Sequence, residues 1–256
     1  MIAINVGGSE RRSSPTPPCT LEEGNHGHRS RRSFHALDGT PVWSLCLGLI
    51  AAVVLLSPPV SAGTLSHEQA LQALQDANDA EARREGVRTL GETGTSVDLP
   101  WLVAALRDED PLVRAMAESS LWRVWSRSGD EEIDRMFVTG VAEMGARQFR
   151  RALETFTRII DRKPEFAEAW NKRATIYFWL GEFENSLTDC DEVMKRNPYH
   201  FGALSGYGMI YMQLDRPERA LEYLERALAI NPNLRQVRSA IEDLKRELLE
   251  RGREST

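Results

Sequence analysis

The chain has 256 residues, of which 41% are hydrophobic, 27% charged and 7% aromatic, and its formal net charge is −6. This composition excludes a collagen-like chain, a low-complexity chain and a small disulfide-rich scaffold, and it fits one or two globular domains. Acidic residues outnumber basic ones, so neither DNA nor RNA is an expected partner.

The first 62 residues have the pattern of a targeting sequence. Residues 1–41 are rich in Ser, Pro, Gly, Arg and His and show no apolar period, so we expect them to be disordered. Residues 42–56 then form an uncharged apolar run, VWSLCLGLIAAVVLL, which is followed by two prolines and several small residues. This order predicts a signal peptide at residues 42–62, with cleavage near Gly63.

The apolar run also leaves a second interpretation open. A membrane-spanning helix needs about 20 apolar residues, and this run is shorter, but an uncleaved segment would hold the protein at a membrane. We therefore expect a periplasmic or otherwise extracytoplasmic bacterial protein, with an inner-membrane anchored protein as the alternative. The sequence does not distinguish the general secretory route from twin-arginine export, although Arg31-Arg32 precedes the run.

An internal period of 34 residues determines the predicted fold. Pro164, Pro198 and Pro232 recur at that spacing, and Tyr177 recurs as Tyr211. Small residues recur in step at 140, 174 and 208, where they would let two helices approach closely. The pattern resembles the tetratricopeptide repeat family, whose units are pairs of antiparallel helices, with units at 133–166, 167–200 and 201–234. This resemblance implies an all-α solenoid.

Helical segments are predicted on both sides of these units. Residues 235–252 carry apolar side chains on one helical face and form a predicted capping helix. Upstream, Arg83 recurs as Arg114, and an Asp-Pro pair precedes the second arginine. Residues 66–128 resemble the short HEAT-like repeat of phycobilisome-lyase-type proteins and are called the HEAT-like segment below. A single repeat cannot bury its own apolar face, so we expect this segment to lean on the 34-residue units.

Motifs for catalysis, cofactor binding and metal binding are absent from residues 63–256. There is no phosphate-binding glycine loop, no HExxH and no GxSxG. We expect His200 at the surface, because it follows a proline at a repeat boundary, and Cys190 as a small buried hydrophobic residue. The sequence therefore predicts no cofactor, no metal and no enzyme; an enzyme would need a titratable cluster that only the folded chain could reveal.

The resemblance implies a protein-binding surface. In tetratricopeptide proteins the first helix of each unit lines a groove that holds peptides or partner helices. The positions that match in this chain are Phe137, Val141, Met144, Asn171, Thr175, Phe178, Trp179, Met209, Met212 and Gln213. Because these are mostly apolar or uncharged, we expect a hydrophobic or extended peptide rather than an acidic one. Some of them could instead pack in the core, as apolar helical stripes usually do.

Two functional interpretations follow. The first is a non-enzymatic exported scaffold or adaptor that binds a protein or peptide in this groove. The second is a membrane-anchored structural spacer in an envelope complex, with residues 42–56 retained. No motif in the sequence identifies the partner or the oligomeric state.

Overall fold

The computed structural model describes residues 65–254, which fold into eleven α-helices and one 3₁₀ helix, Ser96–Asp98, with no strand in that range. The predicted disordered segment 1–41 and the predicted signal peptide 42–62 lie outside the described residues. Within residues 65–254, none of the helices has the length and apolar character that crossing a bilayer requires. The α-helices are α1 His67–Ala73, α2 Ala80–Thr93, α3 Leu99–Ala105, α4 Pro111–Trp125, α5 Glu131–Gly145, α6 Phe149–Arg162, α7 Ala167–Trp179, α8 Phe183–Arg196, α9 Phe201–Gln213, α10 Pro217–Ile230 and α11 Arg235–Glu254.

The HEAT-like segment begins with α1 and ends after α4, and its two long helices, α2 and α4, pack against each other. Each of these two helices is capped by an aspartate. The Asp79 carboxylate accepts the N–H of Ala82 at 3.0 Å, and the Asp110 carboxylate accepts the N–H groups of Leu112 and Val113 at 2.9 Å each. These bonds satisfy free donors in the first helical turn. The predicted Asp-Pro cap is therefore present at the start of α4.

The two arginines of the 31-residue spacing have the same role. Arg83 donates to the carbonyl oxygens of Asp76 and Ala77, and Arg114 donates to those of Asp108 and Glu109, at 2.8 to 3.2 Å. Each arginine thus ties the start of its helix to the loop before it. The sequence spacing reflects a repeated structural unit.

The three 34-residue units are the helix pairs α5–α6, α7–α8 and α9–α10. The turn inside each pair has one residue with positive φ, and these residues are 34 apart: Arg147 (57°), Gly181 (76°) and Asp215 (51°). The following N–H donates to a carbonyl five residues earlier at 2.9 Å in all three turns, in the bonds Gln148–Glu143, Glu182–Tyr177 and Arg216–Tyr211. Tyr177 and Tyr211 therefore occupy equivalent places in successive hairpins.

Residue size is matched across the two helices of each pair. A Cβ added to Gly140 would lie 2.8 Å from the Phe156 ring, and one added to Gly208 would lie 2.4 Å from Leu224. The equivalent positions of the middle pair hold a larger residue, Ala174, and a smaller one, Cys190, which are both buried. A small residue on the first helix thus makes room for a large one on the second.

Both flanking segments cover the stack of hairpins. Helix α11 packs on α10 through Val237, Ile241 and Leu244, as the predicted capping helix should. The HEAT-like segment shares a hydrophobic cluster with Phe201, Leu204 and Ala227 of the third unit. The cluster of the first unit contains no residue of the HEAT-like segment. The expectation that this segment leans on the 34-residue units is confirmed, and the third unit receives it.

Two glycines of α9 provide a matched test of this packing. Gly208→Ala should lower the free energy of unfolding by about 1–3 kcal/mol, because its new methyl group would overlap Leu224. Gly206→Ala places a methyl group 3.7 Å from the Cys190 sulfur, which is an ordinary contact, and should raise stability by about 0.5–1 kcal/mol through helix propensity. Urea unfolding of both variants measures the difference. Equal effects would contradict the packing described for this pair.

Candidate partner-binding groove

The groove positions predicted from the sequence lie on the first helix of each hairpin, on α5, α7 and α9. Trp179 and Met212 are exposed by 45% and 44%, and Val141 by 40%. Gln213 is also exposed, and Thr175, Phe178 and Met209 are half-buried. Asn171 is largely buried, but its side chain lines a cleft between α7 and α9. Four of the ten positions, Asn171, Thr175, Phe178 and Met209, thus line this cleft, and four others are exposed.

The other two positions are core residues, and their assignment to the binding surface is corrected. The Phe137 side chain packs edge-on against the Phe156 and Phe166 rings, at centroid distances of 5.8 and 5.2 Å, and is buried. Met144 is buried in the same cluster. The position of both residues in the repeat predicted side chains on the groove. Both side chains are instead buried in the hydrophobic cluster of the first unit.

A narrow cleft runs between α7 and α9 and has a free volume of about 20 Å³, which is room for about one water molecule. On the α9 side the cleft is lined by three small residues, Gly202, Ala203 and Gly206. Cys190 of α8 also lines it. None of the side chains that line the cleft is charged: Asn171, Ala174, Thr175, Phe178, Ser186, Cys190, Gly202, Ala203, Gly206, Met209 and Ile210. A small uncharged group would fit this cleft, and a charged group would lose its hydration there without gaining a partner.

Apolar side chains lie at the carboxyl ends of α7 and α9. The Trp179 ring lies 5.4 Å from the Phe149 ring of α6, in the preceding unit, and the Phe178 ring lies 5.9 Å from that of Phe183 in α8. Met212 of α9 is exposed. Aromatic and methionine side chains are typical of surfaces that bind proteins.

His200 lies at the other end of α9 and is buried, which corrects the expectation that it lies at the surface. Its side chain has no exposed area. The ring stacks on Trp125 of α4 at 4.4 Å and meets Trp122 edge-on at 5.5 Å. The HEAT-like segment thus covers the repeat boundary, and no signal in the local sequence at 198–200 could have shown this.

Both nitrogens of His200 form hydrogen bonds. Nδ1 accepts the N–H of Ala203 at 3.0 Å, and Nε2 lies 2.8 Å from Oε2 of Glu168. Because Nδ1 is an acceptor, the proton of the neutral ring lies on Nε2 and is donated to the carboxylate. His200 therefore caps α9 and connects it to α7.

Glu168 completes a buried polar cluster between the first helices of the second and third units. Its carboxylate lies 2.7 Å from the Lys172 ammonium and accepts a hydrogen bond from Asn171 at 3.1 Å. Burial alone would raise the pKa of Glu168, but Lys172 and the His200 hydrogen bond outweigh it and hold that pKa well below its usual range. The side chains of Glu168 and His200 have no exposed area, and that of Lys172 is 18% exposed.

A second set of polar bonds fixes the HEAT-like segment to the third unit. Arg107 donates to the carbonyl oxygens of Ala229 and Ile230 at the end of α10. Asn233 donates to the carbonyl of Leu106 at 2.8 Å, and the buried Asn231 donates to Glu118 at 3.2 Å. These bonds satisfy carbonyl groups that the helix end leaves free.

The remaining candidates for chemistry are structural in the described part of the chain. Cys190 is 2% exposed, and burial raises the pKa of its thiol, as expected for a small core residue. Within residues 65–254, no three or more His, Cys, Asp or Glu side chains lie close enough together to hold a metal ion.

The buried cluster predicts a pH-dependent effect of Glu168→Gln. At pH 7 the variant should lose about 1–3 kcal/mol of unfolding free energy, because Lys172 loses its ionic partner. The lowered pKa of Glu168 means that its contribution is present above the unfolded pKa of about 4.3 and is lost as the pH falls further. The difference between variant and wild type should therefore shrink when both are unfolded at about pH 3.

Glu225→Gln is the matched control for this measurement. Glu225 pairs with Lys245 at 2.7 Å, but both side chains are about half exposed. Its removal should change stability by less than about 1 kcal/mol. A loss for Glu168→Gln no larger than this control would contradict the cluster described above.

Comparisons with known proteins agree with both repeat types. Residues 165–233 match the family model of the tetratricopeptide repeat, and residues 67–132 match that of HEAT repeats. A TPR repeat-containing protein of Rhizobium etli is 31% identical over 126 residues, which are 49% of this chain and 62% of the relative. Anaphase-promoting complex subunit 3 of Schizosaccharomyces pombe is 31% identical over 34% of this chain and 13% of its own. This chain thus spans less than two thirds of the relatives that it matches.

Solved structures are similar to parts of this chain at a lower level of sequence identity. The first TPR of Spaghetti (RPAP3), bound to an HSP90 peptide, has a TM-score of 0.45 and 22% identity, and the match covers 47% of this chain and 96% of that one. A MamA structure has a TM-score of 0.41 and 18% identity over 65% of this chain and 82% of that one. The chain thus contains a stretch similar to HEAT repeats, residues 67–132, in front of a stretch similar to tetratricopeptide repeats, residues 165–233.

Proposed function

We propose that this protein is a scaffold or adaptor that binds a protein or peptide segment on the face formed by α7 and α9. The observation that carries the proposal is the uncharged cleft between these helices, which Thr175, Phe178 and Met209 line. A concave, mostly apolar surface with a few polar groups is the usual form of a binding site.

The uncharged lining of the cleft supports an uncharged, apolar partner segment that lies across the cleft in an extended conformation and places at most a small group in it. Each apolar side chain that the partner buries contributes about 1.5–3 kcal/mol before the loss of rotational and translational freedom is subtracted. Thr175 and Asn171 offer polar atoms within the same cleft, which would bond the partner's backbone. Acidic segments fit this cleft poorly, because no cation lines it.

Site-specific photo-crosslinking in the native host tests this function. A benzophenone amino acid at Thr175 should capture a partner, whereas the same group at Leu249, an exposed residue of α11, should not. The double variant Trp179→Ala, Met212→Ala should reduce capture from Thr175 at least fivefold while circular dichroism stays unchanged. Equal capture from both sites would show that the α7–α9 face is not the binding surface.

We further propose that the protein is exported, with residues 42–62 removed as a signal peptide. The folded part supports this, because α1 begins at His67, close after the predicted cleavage site, with a capping box formed by Ser66 and Gln69. Cleavage near Gly63 would therefore leave the described helices complete.

Mass spectrometry of the protein purified from its host checks the export proposal. The expected mass is that of a chain beginning near Gly63, found in the periplasmic fraction. A full-length chain that fractionates with membranes would instead support the membrane-anchored spacer, in which residues 42–56 are retained.

A further inference from the structure

One edge of the hairpin stack carries both cationic and apolar side chains. Three exposed arginines lie at the turn between α5 and α6 and in the first turn of α6: Arg147, Arg150 and Arg151. Trp179 and Leu180, at the end of α7, are also exposed. The Trp179 ring lies 5.4 Å from the Phe149 ring, so the start of α6 lies beside the end of α7. The three arginines, Trp179 and Leu180 are called the turn edge below.

The arginines of the turn edge have no carboxylate partner within residues 65–254. Arg162 of the same hairpin, by contrast, pairs with a glutamate at 2.6 Å. Arg151 donates a hydrogen bond to the amide oxygen of Gln148 at 3.2 Å, which leaves its charge uncompensated. The exposed carboxylates nearest in sequence, Glu154 and Glu182, pair with none of the three arginines. The guanidinium groups therefore present positive charge to solvent.

The turn edge projects into open space. A Cβ added to Gly145 or Gly181, the glycines of the two turns, would meet no atom within 4 Å. An acidic peptide is bound most tightly where a groove surrounds it, whereas a flat layer of anionic headgroups can contact a projecting edge. Exposed tryptophan and leucine side chains beside arginines suit the boundary between lipid headgroups and acyl chains.

We propose that the turn edge binds the surface of a membrane that contains anionic phospholipids. The planar guanidinium groups would bind lipid phosphates, and Trp179 and Leu180 would enter the interfacial layer. This contact does not depend on the partner-binding function, because no residue of the turn edge lines the α7–α9 cleft. It also does not require the apolar run at residues 42–56, so a processed chain would retain it.

A local fluorescence measurement on the full-length protein tests the proposal. An environment-sensitive fluorescent amino acid replaces either Leu180 or Val97, an exposed apolar residue of the 3₁₀ helix. The vesicles contain phosphatidylcholine alone, or phosphatidylcholine with one third phosphatidylglycerol. Only the anionic vesicles should shift the emission from position 180 to shorter wavelength, and position 97 should respond to neither. Because each fluorophore reports its own surroundings, insertion of residues 42–56 into the bilayer would not by itself produce this difference.

Removal of the three arginines tests the role of charge. In the variant Arg147→Gly, Arg150→Gln, Arg151→Gln, half of the shift should require at least tenfold more anionic lipid, because each arginine near an anionic bilayer strengthens binding about fivefold. The melting temperature should not fall. Gly181 has the backbone conformation of Arg147, with φ of 76° and 57°, and glutamine is a good helix former.

The variant Arg226→Gln, Arg235→Gln, Arg246→Gln is the matched control, because it removes the same charge from exposed positions of α10 and α11. It should keep the wild-type shift. The proposal is overturned by no shift at position 180, by an equal shift with neutral vesicles, or by an equal loss in the control. Binding of polyglutamate instead of vesicles, lost in the first variant, would assign the turn edge to an acidic protein and also overturn it. Capture of a partner from Thr175 is measured separately, so each proposal can fail alone.

Discussion

The close approach of the two helices in each hairpin is the constraint on which the rest of the structure depends. Gly140 and Gly208 let Phe156 and Leu224 of the second helices fill the space that a side chain would otherwise occupy. A hairpin packed this tightly still has one apolar face without a partner, so it needs another hairpin beside it. The third unit therefore needs α11 as a cover on α10.

The HEAT-like segment also needs apolar contacts from outside itself, and it obtains them from the third unit. Its own four helices bury only part of their apolar side chains, and Phe201, Leu204 and Ala227 complete its cluster. Hydrophobic contact alone would tolerate several positions along the stack. Arg107 and Asn233, which bond backbone groups across the junction, allow one position, because these bonds require fixed distances. The polar bonds thus select the third unit as the site of contact.

Local patterns in the sequence were sufficient to predict the units of this fold. The 34-residue period predicted the three hairpins because the same helix pair recurs along the chain, and the Asp110-Pro111 pair predicted the cap of α4 because the residues of a cap are adjacent in sequence. Contacts between distant parts of the chain carry no such period. Trp125 stacks on His200 from far earlier in the chain, so spacing alone placed His200 at a surface that the HEAT-like segment covers.

The same limit explains the mixed outcome for the groove positions. Thr175 and Met209 share one register position of neighbouring units, and both line the α7–α9 cleft. Phe137 has the register of Asn171, and it is enclosed by the large rings of Phe156 and Phe166. Register predicts the direction of a side chain, and the sizes of its neighbours decide whether it reaches solvent.

The buried cluster between α7 and α9 depends on Lys172. Glu168 accepts a hydrogen bond from His200, which in turn caps α9, so the carboxylate is needed for the junction. A buried carboxylate needs a compensating cation, and Lys172 supplies it at 2.7 Å. Replacing Lys172 by a neutral residue would leave Glu168 uncompensated. The Trp122 ring lies over the same ammonium, 5.5 Å from its centroid, so a residue of the HEAT-like segment contacts the cluster between α7 and α9.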